Sequence, residues 1–175
     1  MSELETIGHQ LRALGEGLDQ VQHAALGAGQ WAEEVTAQAA ALGLIGVAIG
    51  VQGIQQGIME VRQRLGTVGQ SISAALGLVA GAPPRPSPDQ VVQALAPAGG
   101  LVGAAFTELA GVAQQVEQVR QQAYAALAGG DPGPLAQALE LVDRSARELA
   151  QRCVDLRQLI DQAIAQIRQT GRTEN

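Results

Sequence analysis

A chain of 175 residues, 46% hydrophobic and 16% charged, is long enough for one domain or for two small halves packed as one. It holds 31 Ala, 23 Gln and 22 Gly, every basic residue is Arg, and the aromatics occur once each as Trp31, Phe106 and Tyr124. That composition argues against a strand-rich fold, which needs β-branched and aromatic residues, and the plentiful aliphatics argue against disorder. A net charge of −6, with the 11 Arg spread among carboxylates, argues against a nucleic-acid partner, which calls for a basic face.

Helix is the dominant signal. From the N-terminus, Leu4, Ile7, Leu11, Leu14, Leu18, Val21, Ala25, Ala28, Ala32, Val35, Ala39 and Leu42 follow one another in steps of three and four, the spacing of one helix face. Ser2 and Glu5 have the spacing of a capping box at its start. A second seam runs Leu44, Val47, Val51, Ile54, Ile58, Val61, Leu65, Val68, Ile72, Ala75 and Val79. The step of two between Leu42 and Leu44 fits no continuous seam, and Gly43 and Gly46 lie beside it, so the chain is expected to reverse there. The rival break is Gly27-Ala28-Gly29, which resembles a helix C-cap although the seam passes through it in phase.

Gly81 to Pro88 carries four prolines in eight residues and reads as a linker. Ser87-Pro88-Asp89-Gln90 restarts a helix, with Ser at the N-cap, Pro at N1 and Gln at N3. The third seam is Val91, Leu95, Ala98, Val102, Ala105, Leu109, Val112, Val116, Val119, Ala123 and Ala126, with a kink or break expected near Pro97. Gly129-Gly130-Asp131-Pro132-Gly133-Pro134 ends it, and the fourth seam is Leu135, Leu139, Val142, Ala146, Leu149, Cys153, Leu156, Ile160, Ala163 and Ile167. The expected product is an all-α, elongated antiparallel bundle made of two long helical hairpins. Residues 1–80 form the first hairpin, 81–88 the linker, 89–170 the second hairpin and 171–175 a polar tail.

Gly43, Gly46, Gly50, Gly53 and Gly57 repeat at helical spacing beside the Val/Ile seam. A helix stripe without side chains admits close approach by another helix. That helix could belong to the same chain or to a second copy, and the stripe also adjoins a run that could contact a membrane. The longest uncharged non-polar run, Ala39 to Val51, is thirteen residues, too short to span a bilayer, and Gln52, Gln55 and Gln56 follow it. Trp31 is read as packing, or else as an anchor for a partner.

No catalytic, cofactor or metal site is expected. His9 and His23 sit about 21 Å apart along a helix, no H-x-x-x-H occurs, and no Ser has a His nearby to act as base. Cys153, on the fourth seam, is expected to be a buried structural thiol. Carboxylates pair with Arg three or four residues away: Glu60 with Arg64, Glu117 with Arg120, Asp143 with Arg147, Glu148 with Arg152 and Asp161 with Arg157.

In composition, and in stretches such as Leu18-Asp19-Gln20-Val21-Gln22-His23-Ala24-Ala25, the chain resembles small Ala/Gln-rich, Lys-poor helical proteins of actinobacteria. Similar segments lead exported polymorphic toxins. That resemblance implies a helical adaptor. The hairpins also resemble the Trp-x-Gly substrates of type VII secretion, but Trp31-Ala32-Glu33 lacks their Gly, and Ala128, four residues after Tyr124, stands where their export tail has an acid. The function expected is non-enzymatic protein–protein interaction, by self-assembly through the glycine stripe or with a helical partner. The alternatives are an exported substrate, leader or chaperone, and a membrane-surface protein acting through residues 39–58. A cytoplasmic location is expected, with export by a signal-peptide-independent route as its rival.

Overall fold

The computed structural model describes residues 3–83, 85–127 and 133–173. Four helices follow one another: α1 (Glu3–Ala41), α2 (Ile45–Ala80), α3 (Pro88–Ala126) and α4 (Gly133–Thr173), with no strand among the described residues. At 1.5 Å per residue each is about 55–60 Å long. α1 packs on α2 and α4, and α3 packs on the same two, so the helices stand at the corners of a square. Gly8 faces Val79, Gly57 faces Val119, Gly99 faces Ile160 and Gly17 faces Leu149. Each helix thus runs opposite to both of its neighbours, which makes an all-α, up-down-up-down bundle.

The four seams become one core. From Ile7 to Ala32, Val51 to Val79, Leu95 to Ala123 and Leu135 to Ala163, every seam residue is buried and belongs to a single apolar cluster that all four helices share. Outside the seams Ala113 is also buried. The seam ends depart from the sequence reading. Leu42 is 75% exposed and Leu44 50% exposed, because beyond Ala39 the bundle has no further layer to cover them.

The reversal falls at Leu42-Gly43-Leu44. Gly43 has φ +71°, a conformation that favours a residue without Cβ. Its amide donates to the Ala40 carbonyl at 3.1 Å and that of Leu44 to Ala39 at 2.9 Å, the paired bonds of a Schellman ending. Gly46 lies inside α2, one turn further on. Gly27 and Gly29 do not break the chain: α1 passes through both, since a seam in phase on either side outweighs a propensity cost of about 1 kcal/mol per glycine.

Ser87 caps α3 as its sequence requires. Its Oγ accepts from the Gln90 amide at 3.3 Å, the Gln90 side chain accepts from the Ser87 amide at 2.8 Å, and Pro88 fills the first helical position. Ser87→Ala removes one of the two bonds and is expected to cost about 1 kcal/mol, read as a lower midpoint in thermal unfolding. α3 continues without interruption through Pro97, which lies on an exposed face. α4 begins at Gly133, so Pro134 opens a helix, and it runs past Gly171 to Thr173. The Ser2 cap and the connection 128–132 lie outside the described residues.

Candidate functional site

The glycine stripe divides between the interior and the surface. A Cβ on Gly57 would collide with Cγ2 of Val119, and one on Gly50 would come within 2.6 Å of the Ala126 Cβ. These two glycines let α2 lie close against α3, so the stripe is occupied from within the chain, and a second copy cannot use Gly50 and Gly57 while the bundle is closed. Gly53 is exposed near Gln122, and Gly43 and Gly46 meet nothing within 4 Å. Trp31 is half-buried and packs against the core.

Other side chains answer further sequence expectations, and two of the expected ion pairs, Glu148–Arg152 and Asp161–Arg157, do not form. His9 and His23 are both exposed, and the His23 Nδ1 donates to the Asp19 carbonyl at 2.8 Å. Glu117–Arg120 and Asp143–Arg147 pair at 2.9 Å, as does Glu140–Arg144 at 2.7 Å. Arg64 differs from the sequence reading: its guanidinium reaches Glu108 on α3 at 3.0 Å instead of Glu60 on its own helix. It does so across Gly111, where a Cβ would sit 2.8 Å from Nη1, and Arg157 lies in the same manner across Gly103. Spacing along one helix does not reveal such crossings, and the glycines on the flanks of the third seam are their only trace in the sequence. The pairs are exposed and worth little individually.

Cys153 is 1% exposed, and burial pushes its thiol up from 9.0 to about 11. It stays protonated at neutral pH and is a poor nucleophile. Its folded value lies above its unfolded one, so its stabilising contribution is complete below about pH 9 and is lost as the pH rises towards 11. Thiol reagents at pH 8 are therefore expected to label Cys153 only as fast as the bundle opens. Immediate labelling without denaturant would contradict its burial.

The feature left unexplained by packing is one end of the bundle. Leu42, Leu44, Ile45 and Ile49 are exposed there, Ile45 at 71% and Ile49 at 63%. No charged residue occurs from Val35 to Met59, nor from Gln121 to Leu139 apart from Asp131, which lies outside the described residues. The described residues of those two stretches belong to the last turns of α1 and α3 and the first turns of α2 and α4, so antiparallel packing brings them together. Tyr124, 57% exposed, stands on α3 one half-turn before Ala126, the residue that meets Gly50. The opposite end contrasts with it. A groove of about 680 Å³ between α1, the end of α2 and the linker includes Glu3, Glu5 and Arg12 among the residues around it.

The second hairpin has a counterpart among known families. Residues 86–172 match the sequence model of a family of unknown function (DUF6244). The match takes in α3 and α4 and leaves α1 and α2 outside it, so Tyr124 lies within the matched span and Leu42 to Ile49 do not. No curated protein and no solved structure matches the chain.

Proposed function

We propose that this chain is a non-catalytic helical module that acts by docking, and that it docks through the uncharged end of its bundle. The observation that carries this reading is the cluster of four exposed aliphatic residues, Leu42, Leu44, Ile45 and Ile49, within eight positions. Single exposed apolar residues are ordinary, whereas a contiguous apolar patch marks a surface that is covered in use. Full burial of each side chain is worth about 1.5–3 kcal/mol before the costs of association are taken off. The alternative surface, the glycine stripe, is interrupted, since α3 occupies Gly50 and Gly57 and leaves only Gly43, Gly46 and Gly53 open. The interior itself is apolar: among the described residues no charged or polar side chain is buried, and the lone thiol is held protonated.

The test is a fractionation of the native host. The tagged wild-type chain is expected in a fraction heavier than its 18.0 kDa monomer. Ile45→Gln/Ile49→Gln, altered only at exposed positions, should fold alike by circular dichroism and run as the monomer. Identical distributions for the two proteins would overturn the assignment of the docking surface.

A further inference from the structure

The α1–α2 corner of this end has the dimensions and chemistry of a surface that enters lipid. Its apolar cap is bounded by Gln38 on α1, about 5 Å along the helix from Ala41, and by Gln52 on α2, about 10 Å from Ile45. Gln122 lies near Gly53 and Ala126 meets Gly50, which places Tyr124 between them, at the level of that glutamine boundary. An apolar cap about 5–10 Å deep, with polar amides and an amphipathic phenol ring at its rim, has the proportions of an interfacial anchor and is far too shallow to span a bilayer.

The amides of Leu42, Gly43, Leu44 and Ile45 all donate to carbonyls between Gln38 and Gly43, at 2.9–3.1 Å, while α2 follows Leu44 without a side-chain cap, so its first amides face a layer that still holds water and polar headgroups. The cap's exposed side chains from Leu42 to Ile49 are hydrocarbon only. A protein partner is normally recognised with about one hydrogen bond per 100–200 Å² of interface, and these side chains provide none. A second copy is the other candidate. Four helices on a square about 20 Å on a side offer roughly 400 Å² per copy at an end. Two such ends together bury roughly 800 Å², short of the roughly 1,200–2,000 Å² of a stable interface. A bilayer needs neither matched shape nor area of that size.

We infer that the apolar α1–α2 corner of this end enters the interfacial layer of a lipid bilayer, with Leu42, Leu44, Ile45 and Ile49 in the acyl region and Tyr124 at the headgroups. This rests on the docking reading above and names its partner. Attraction is apolar, since the end carries no Lys or Arg and the chain's net charge of −6 opposes anionic lipid.

The experiment is flotation of the full chain with phosphatidylcholine vesicles at low and high salt. Wild type is expected to float equally at both. Ile45→Gln/Ile49→Gln should bind at least about tenfold more weakly, and Leu78→Gln, at an exposed position near the far end, should bind like wild type. Three results would overturn the inference: wild type that stays at the bottom, binding that requires anionic lipid and is released by salt, or a double variant that floats as well as wild type. Sedimentation of the same proteins without vesicles separates the two readings. If wild type does not float but associates in a manner that Ile45→Gln/Ile49→Gln abolishes, lipid is the wrong partner and the docking end stands. If wild type neither floats nor associates, the lipid inference has failed, and the native fractionation decides the docking reading alone.

Discussion

Gly57→Leu is expected to destabilise the bundle by about 3 kcal/mol or more, the upper range for overpacking a core. Gly57 is buried, and even a single Cβ there would collide with Val119, itself fully buried and stiff at χ1 because it is β-branched. Neither side chain can turn away, so α2 and α3 must part over several residues, loosening the contacts of Ile54, Ile58 and Val116 in the shared core. Domains of this kind are stable by only about 5–15 kcal/mol, so the thermal midpoint should fall well outside experimental error. Gly57→Ala sharpens the test. Its gain in helix propensity, about 1 kcal/mol, opposes the clash, and Val119→Ala should relieve the clash selectively, leaving a favourable coupling in a double-mutant cycle. A Gly57→Ala variant that is simply more stable than wild type would mean that α2 and α3 do not approach this closely.

The opposite result is expected where glycine has room. Gly15, Gly27, Gly66 and Gly77 lie inside helices, with nothing within 4 Å of where a Cβ would sit. Alanine at each should stabilise the fold by up to about 1 kcal/mol, through helix propensity and a less flexible unfolded chain. The sites are at least about 16 Å apart within each helix, so the effects should add. The fourfold variant is expected to gain about 2–4 kcal/mol and to melt about 5–15 °C higher by circular dichroism at 222 nm. No gain at Gly27 would reopen the reading in which α1 breaks there.

The contrast between these two sets of glycines marks what the sequence can reveal. Three-four spacing identifies the face of a helix that is buried, and so the seams from Ile7 to Ala163 are legible from residue order alone. It does not identify the neighbour across that face. Gly50 and Gly57 are legible as a notch, yet only the bundle shows that Val119 and Ala126 of the same chain fill it. Leu42 and Leu44 depart from the seam pattern for a related reason. They have the right residue type at the right step, but burial also needs another layer beyond them, and periodicity carries no information on where the bundle ends. The end is not legible as a unit because its described parts, residues 35–59, 121–127 and 133–139, are far apart in the chain and meet only through antiparallel packing. Gln38 and Gln52, which bound its apolar cap, look like ordinary surface residues until the turn between them is placed.

The apolar interior has one further consequence, for how the helices find their heights. Among the described residues nothing buried can hydrogen-bond across the core through its side chain, other than a weakly polar thiol. A polar group in the seam is one way to fix axial alignment, and here it is missing. Sliding α3 by a heptad, about 10 Å, could even carry Val119 from Gly57 onto Gly50 and find the same recess waiting. The α3–α4 contact forbids it, because that slide brings Val92 in place of Gly99 opposite Ile160, and the two contacts of α1 hold the other helices in the same way. Leu149 fits over Gly17, Leu18 over Gly69 and Ile160 over Gly99, and seven residues to either side of those glycines stand Gln10 and Ala24, Arg62 and Leu76, Val92 and Phe106. A one-heptad slip would drive a large aliphatic side chain into one of these, so steric keys set the heights of the four rods where a polar core would use hydrogen bonds.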